Sequence, residues 1–456
     1  MTATLAICAS AQAQGRMPSG GPFSGLFRGS PKEQPHRLDF SGSAFAAWDD
    51  NVLAEGPNGN GGFGATAQNI KPGLANGFQA SLNYGFHRAG SRSDLFVNGN
   101  GSLQEFASSA GSNRLLFQSY AADAGLRTNM TTKMSITFAG GSTYAPYYQY
   151  LPFLTNTTTT DSPVGADYGY ATQSEWVRTT TGSISLEDRF TKRSSLSGTV
   201  AWNQQILEST DLTVETETAA MRFTHNITRK LSFFVGYGVS QARYDHAAAG
   251  SEPFRYGNID VGLGYGDGLT FRLGRATTLN LTVGASVVKN GDPASVVKTG
   301  KSTQFFVTGA ATLTRALSRT WGASLGYTRG VSYVVGFTEP FNTDAANAGI
   351  GGPVVSRLFF SMGVGASRGQ QVFSQDGTLV AYTGSARLTF ALFSHLGLYG
   401  QASYYKYDVP ASTLAIFSFM PQLERRSVSA GLTTWFPLIK PPRARRVPID
   451  QQAGQQ

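Results

Sequence analysis

The chain has 456 residues, of which 41% are hydrophobic and only 14% charged, with 54 Gly, 30 Phe, 19 Tyr and a formal net charge of +9. Ordinary globular proteins are about 25% charged, so the composition lies outside the soluble norm, and the aromatics exclude a disordered chain. No apolar run approaches about 18 residues, which excludes a helical membrane protein.

Taken in chain order, Met1 to Ala13 read as the back half of a secretory signal, an apolar run ending in the small-x-small site Ala11-Gln12-Ala13. No basic segment precedes the run, which suggests a true start further upstream. Ile7 before Cys8 is too bulky for a lipidation site. Cleavage after Ala13 would leave a mature chain without Cys, as suits an oxidising envelope compartment without disulfides. Residues 14–36, rich in Gly and Pro with no apolar period, form a flexible lead-in.

From 37 to 436 one pattern repeats. Strands of about ten residues alternate apolar and small polar side chains with period two, the signature of a transmembrane β-strand. Leu279, Leu281, Val283, Ala285 and Val287 share one face, and Asn280, Thr282, Gly284 and Ser286 the other. Near the end, Val428, Ala430, Leu432, Thr434 and Phe436 oppose Ser427, Ser429, Gly431 and Thr433. A soluble sandwich would carry Lys, Glu and Asp on its second face. Here that face is Gly, Ser, Thr and Asn, as expected for lipid outside and a polar interior.

Short turns with Arg, Lys or His recur, among them Arg127 to Lys133, Asp188 to Arg193, His225 to Lys230, Arg272 to Arg275, Thr314 to Arg319 and Ala391 to His395. Val355 to Arg357 is shorter, and His87 to Arg92 looser. Longer polar segments such as 49–76, 145–175 and 331–344 lie between them. The expected fold is all-β: one transmembrane antiparallel up-and-down barrel of about 18 strands, with short periplasmic turns and long extracellular loops. The Gly349 to Gly352 hairpin is the weakest element, and without it the count is about 16. Residues 437–456, with Lys440, Arg443, Arg445 and Arg446, form a basic periplasmic tail. This is a solvated terminus or a contact with anionic polymers or lipid.

Aromatics fall near strand ends, where amphipathic rings meet headgroups. Trp48, Trp176, Tyr144 and Tyr404 belong to one expected girdle, with Tyr147, Tyr148 and Tyr405 nearby, and Trp321 and Trp435 to the other.

With Trp48-Asp-Asp-Asn-Val52 closing the first strand, the Arg/Lys turns and the last strand Gly-Leu-Thr-Thr-Trp-Phe436, the chain resembles uncharacterised bacterial outer-membrane β-barrel proteins of the β-barrel porin type. The resemblance is architectural over about 37–436, and it implies a channel in the outer membrane. One departure is that twenty residues follow Phe436, where many barrels end on an aromatic read by the assembly machinery.

The sequence offers no catalytic constellation, metal site or cofactor motif. The five His are scattered (His36, His87, His225, His246, His395), and Gly262 to Gly266 is followed by no helix. Asp49-Asp50-Asn51 reads as an Asx-type turn closing a strand in preference to a Ca²⁺ site. Alternation places Asp123, Arg127, Glu187, Arg222, Asp260 and Arg387 on the lumen side, sparse and mixed in sign. A lumen lined mainly by small residues leaves aqueous space unless something fills it, and 145–175 is long enough to fold inward. Expected partners are outer-membrane lipids and the barrel-assembly machinery, with room for a homo-oligomer and no nucleic acid. The leading expectation is passive passage of small polar solutes, or a conduit for an exported polymer. A structural or adhesive barrel acting through its loops comes second. A barrel enzyme using Asp49, Asp50 and His246 comes third.

Overall fold

The computed structural model describes residues 36–50, 73–86, 92–107, 114–146, 176–208, 212–228, 231–244, 254–265, 271–272, 277–289, 303–318, 320–333, 340–373, 378–408 and 422–439. Its strands are β1 (His36–Asp49), β2 (Gly73–Phe86), β3 (Ser93–Ala107), β4 (Arg114–Asn129), β5 (Met134–Pro146), β6 (Trp176–Asp188), β7 (Ser194–Leu207), β8 (Leu212–Asn226), β9 (Leu231–Tyr244) and β10 (Phe254–Tyr265). They continue as β11 (Phe271–Arg272), β12 (Thr277–Lys289), β13 (Thr303–Ala316), β14 (Gly322–Ser332), β15 (Phe341–Val355), β16 (Leu358–Gln371), β17 (Thr378–Phe393), β18 (Leu396–Asp408) and β19 (Gln422–Pro437).

Apart from β10 and β11, which do not pair with each other among the described residues, each strand pairs antiparallel with its neighbours in sequence, and β1 also pairs with β19, from Asp39 opposite Pro437 to Asp49 opposite Ser427. The sheet therefore closes and has no edge, as any strand structure in lipid requires. β10 and the two-residue β11 both lie against β12 and fill one position, Gly264 facing Asn280 and Phe271 facing Leu279. The wall is thus eighteen strands around. The Gly349 to Gly352 segment sits inside β15, with Gly349 to Gly351 paired to β14 and all four residues paired to β16.

Full strands run from 11 to 16 residues, longer than the ten or so expected from alternation. About 9–11 tilted residues cross the hydrocarbon. The remainder extends the ladder beyond it, where backbone pairing needs no apolar face. Eight connections are short and lie at one rim, which also carries His36 and Pro437. Three of these turns are built alike: Thr131 Oγ1, Thr191 Oγ1 and Ser318 Oγ each accept backbone N–H bonds from the second and third residues after them. These hydroxyls satisfy amides the ladder leaves behind.

Outward positions carry exposed apolar side chains on every side of the barrel, including Phe78, Leu126, Ile184, Val200, Val283, Val307, Leu325, Met362 and Val428. Inward positions carry Ser, Thr, Asn and Gln, many buried, together with aromatics. Inward rings explain part of the glycine content. Phe45 lies across Gly77, and Phe234 across Gly262, where an added Cβ would fall 2.2 Å and 1.9 Å from ring carbons. Only glycine lets these rings lie flat on the adjoining strand.

Candidate functional site: the barrel lumen

The interior divides into two regions along the barrel axis. Toward the short turns, a polar cavity of about 420 Å³ is lined by Ser41, Gln79, Ser81, Asn98, Asp123 and Arg387, among others. Ladder register brings these groups together: Ser41 faces Ser81, Ser81 faces Asn100, and Asn98 faces Asp123. Asn98 Nδ2 donates to Asp123 Oδ2 at 2.8 Å, and the Ser41 and Ser81 hydroxyls are hydrogen-bonded. The Arg387 guanidinium carbon sits 4.1 Å from the ring centre of Tyr399, an inward and buried residue of β18. A guanidinium over an aromatic face retains N–H donors that the ring does not use.

The other expected inward charges are distributed around the wall. Arg127 on β4 and Glu187 on β6 approach to 3.8 Å, and Arg189 Nε donates to Glu187 at 3.0 Å. Arg222 lies over the Phe234 ring at 4.5 Å. Asp260 occupies a position on β10 opposite Gly236 and Gly284, and its side chain lies outside the described residues. Thus Asp123 and Arg387 share the cavity, Arg127 and Glu187 pair with each other, and Arg222 lies over Phe234.

Toward the opposite rim the interior is apolar and packed. Tyr256, Val288, Val331, Val372 and Phe373 form one buried cluster, with Phe306 and Tyr333 against it. The chain beyond β16 supplies Val372 and Phe373. Val372 N donates to Pro340 O at 3.0 Å, which fixes the segment where it meets β15. Tyr256 and Tyr333 rings lie 5.9 Å apart, and Leu207, Phe341 and Leu379 are buried at the same end of their strands. The expected lumen of small residues therefore describes one end only. The aromatics and Val that fill the other occupy inward positions near strand ends, where nearness to an end by itself suggests girdle residues.

The same rim holds a buried ion pair across the closing seam. Arg425 Nε donates to Asp49 Oδ2 at 2.6 Å, with Asp49 fully buried and Arg425 6% exposed. Next to it, Asp50 Oδ1 accepts the Arg426 backbone N–H at 2.7 Å, and Asp50 N donates to Arg426 O. Both carboxylates are engaged in joining the first strand to the last. Asn51 and His246 lie outside the described residues, as do His87, 147–175, 1–35 and 440–456.

The aromatic positions separate by face. Trp48 and Tyr404 point outward near the long-connection rim. Tyr120, Tyr144 and Trp176 stack there in series, with ring centres 4.9 Å and 5.1 Å apart, and Tyr144 donates to Glu208 Oε2 at 3.0 Å. Trp321 lies outward beside a short turn, over Gly352, its Nε1 donating to Pro353 O at 2.8 Å. Trp435 does not join them. It faces Ser41, on the same side as Thr433 and the polar cavity, and stacks on His395. Tyr405 likewise turns inward and is buried beside Tyr407. Period two decides both cases: Trp435 belongs to the Ser427, Ser429 and Thr433 face, and proximity to a strand end does not change which side a residue takes. Arg425, Tyr399 and Phe234 were not singled out by the sequence. They acquire their roles from partners on other strands.

No protein-family model and no curated protein matches the chain. Among solved structures, it is similar to Pseudomonas aeruginosa OccK2 (OpdF), crystallised with glucuronate, at 10% identity and TM-score 0.43 over 89% of this chain and 98% of that one. Similarity to Pseudomonas aeruginosa OpdQ is 12% identity and TM-score 0.41 over 89% and 100%, and to the Pseudomonas aeruginosa siderophore receptor PirA 9% and 0.41 over 89% and 81%. At such low identities and TM-scores these likenesses add nothing to what the ladder establishes. A closed, even-stranded antiparallel wall, apolar outside and polar within, with short turns at one rim, is a barrel of the bacterial outer membrane.

Proposed function

We propose that the protein is a porin-like channel for small polar solutes, with its short turns, His36 and Pro437 on the periplasmic side. The observation that carries this is the polar cavity inside the closed wall, where hydroxyls, amides, Asp123 and Arg387 line one space. A wall of eighteen strands encloses more room than its own inward side chains fill. Mixed charge at that level offers hydrogen bonds to polar solutes without a single-sign ring to exclude anions or cations. The packed Tyr256–Phe373 region toward the other rim makes this a constricted passage.

That packed region also favours a second reading, a structural barrel whose lumen stays shut and whose long connections act at the surface. A catalytic role is not proposed, because Asp49 and Asp50 are held by Arg425 and the Arg426 backbone. Single-channel recording of the refolded chain in a planar bilayer, with and without 150–170, separates the two readings. Stable currents altered by the deletion support the constricted channel. A barrel that inserts and stays silent in both forms overturns it.

A further inference from the structure

One part of the outer wall departs from the rest. Across β7, β8, β9, β10 and β12, register aligns Trp202, Glu217, Gln241, Arg255 and Lys289 in a continuous row. All five take outward positions. Arg255 is the second residue of β10 and Lys289 the last of β12, so the row rises to the long-connection rim. Trp202 Nε1 donates to Glu215 Oε1 at 2.6 Å, and Gln241 is hydrogen-bonded to Glu217. Arg255 and Lys289 face one another directly, and among the described residues neither has an acidic partner. Like charges in direct cross-strand opposition repel, and more strongly beside a low-dielectric medium.

Beneath these cations the wall is hollow. Ala219, Gly257 and Ala285 lie among Trp202, Tyr237 and Val287, leaving a concavity of about 830 Å³ on the lipid side. The Tyr237 hydroxyl reaches within 3.9 Å of where a Cβ on Gly257 would stand, one outward position below Arg255. We propose that this groove binds a phosphate-bearing anionic lipid of the leaflet at the long-connection rim. The phosphate lies between Arg255 and Lys289, within reach of the Tyr237 hydroxyl, and one acyl chain covers Ala219, Gly257 and Ala285. A phosphate offers acceptors to the guanidinium fork and removes the repulsion between the two cations. The acyl chain fills apolar space that a free anion would leave empty. The proposal rests on the wall facing lipid and is independent of whether the lumen conducts.

The test uses the refolded full chain in a Cys8→Ser background, with a bimane label at Ala285→Cys and, as a control on another sector, at the outward Met362→Cys. Phosphatidylcholine vesicles contain equal fractions of brominated phosphatidylglycerol or brominated phosphatidylcholine, and quenching gives relative lipid association. At 285 the anionic lipid should be preferred between about 5-fold and about 30-fold, the effect of one to two surface cations, with no comparable preference at 362. Arg255→Gln combined with Lys289→Gln should remove the preference. Equal quenching by both lipids at 285 overturns the proposal, and this comparison stands even if the double variant fails to fold. A comparable preference at 362 would mark general attraction of anionic lipid to the cationic barrel and likewise overturn the site.

Discussion

The two halves of the lumen follow the same alternation on the same strands, yet they are built differently. Near the short turns, polar and charged inward residues line open space among rings such as Phe234 and Tyr399, and their charges stay accessible: Arg127 and Glu187 are 29% and 18% exposed and meet only at 3.8 Å. Near the long connections, inward residues are large and apolar, and the Asp49–Arg425 pair is shut away from water. Period two determines which face a residue takes, whereas its height on the strand decides whether that face is wet or packed. An ion pair of the same chemistry therefore carries different weight in each half.

The strongest challenge to this contrast is Asp49→Ala, which leaves the Arg425 charge buried without its carboxylate. We expect a loss of about 3–5 kcal/mol, read as a lower urea midpoint for the refolded barrel in vesicles. Next, Phe373→Ala removes a ring from the packed half and should cost about 3–5 kcal/mol if the cluster behaves as a core. It should also raise single-channel conductance, and an unchanged conductance would show that this region does not constrict the path.

Gly262→Leu comes third, since its Cβ would fall 1.9 Å from the Phe234 ring. Expulsion of that ring should cost about 1–3 kcal/mol and leave Arg222 without its aromatic partner. In the polar half the expected effects are on permeation. Arg387→Gln should shift the reversal potential toward cation preference and Asp123→Asn toward anion preference, both fading as salt is raised. Glu187→Gln is the smallest, below about 1 kcal/mol in the same urea assay. A loss from Glu187→Gln equal to that from Asp49→Ala would erase the distinction between the halves.

Much of the wall was legible in the sequence because its causes are local. Runs such as Leu279 to Val287 state their own two faces, and turns such as Asp188 to Arg193 mark where the chain reverses. The same count predicts inward positions for Asp123, Arg127, Glu187, Arg222 and Arg387. Trp435 and Tyr405 were legible by that count as well, and were misplaced only when nearness to a strand end was weighed above it. Nothing local announces Arg425 as the partner of Asp49, 376 residues away, or Phe234 as the platform for Arg222.

The low charge of the chain belongs to a wall with one face for lipid and one for a weakly charged interior, and that division the sequence determined by itself. It pointed to about eighteen strands, to turns such as Asp188 to Arg193 and to the two faces of runs such as Leu279 to Val287, because these depend on residues adjacent in the chain. Tertiary structure alone decided that Asp49 closes on Arg425, that Tyr256 and Phe373 pack one end of the lumen, and that Arg255 and Lys289 stand together above an apolar groove. These depend on register and closure, which set the height at which distant strands meet.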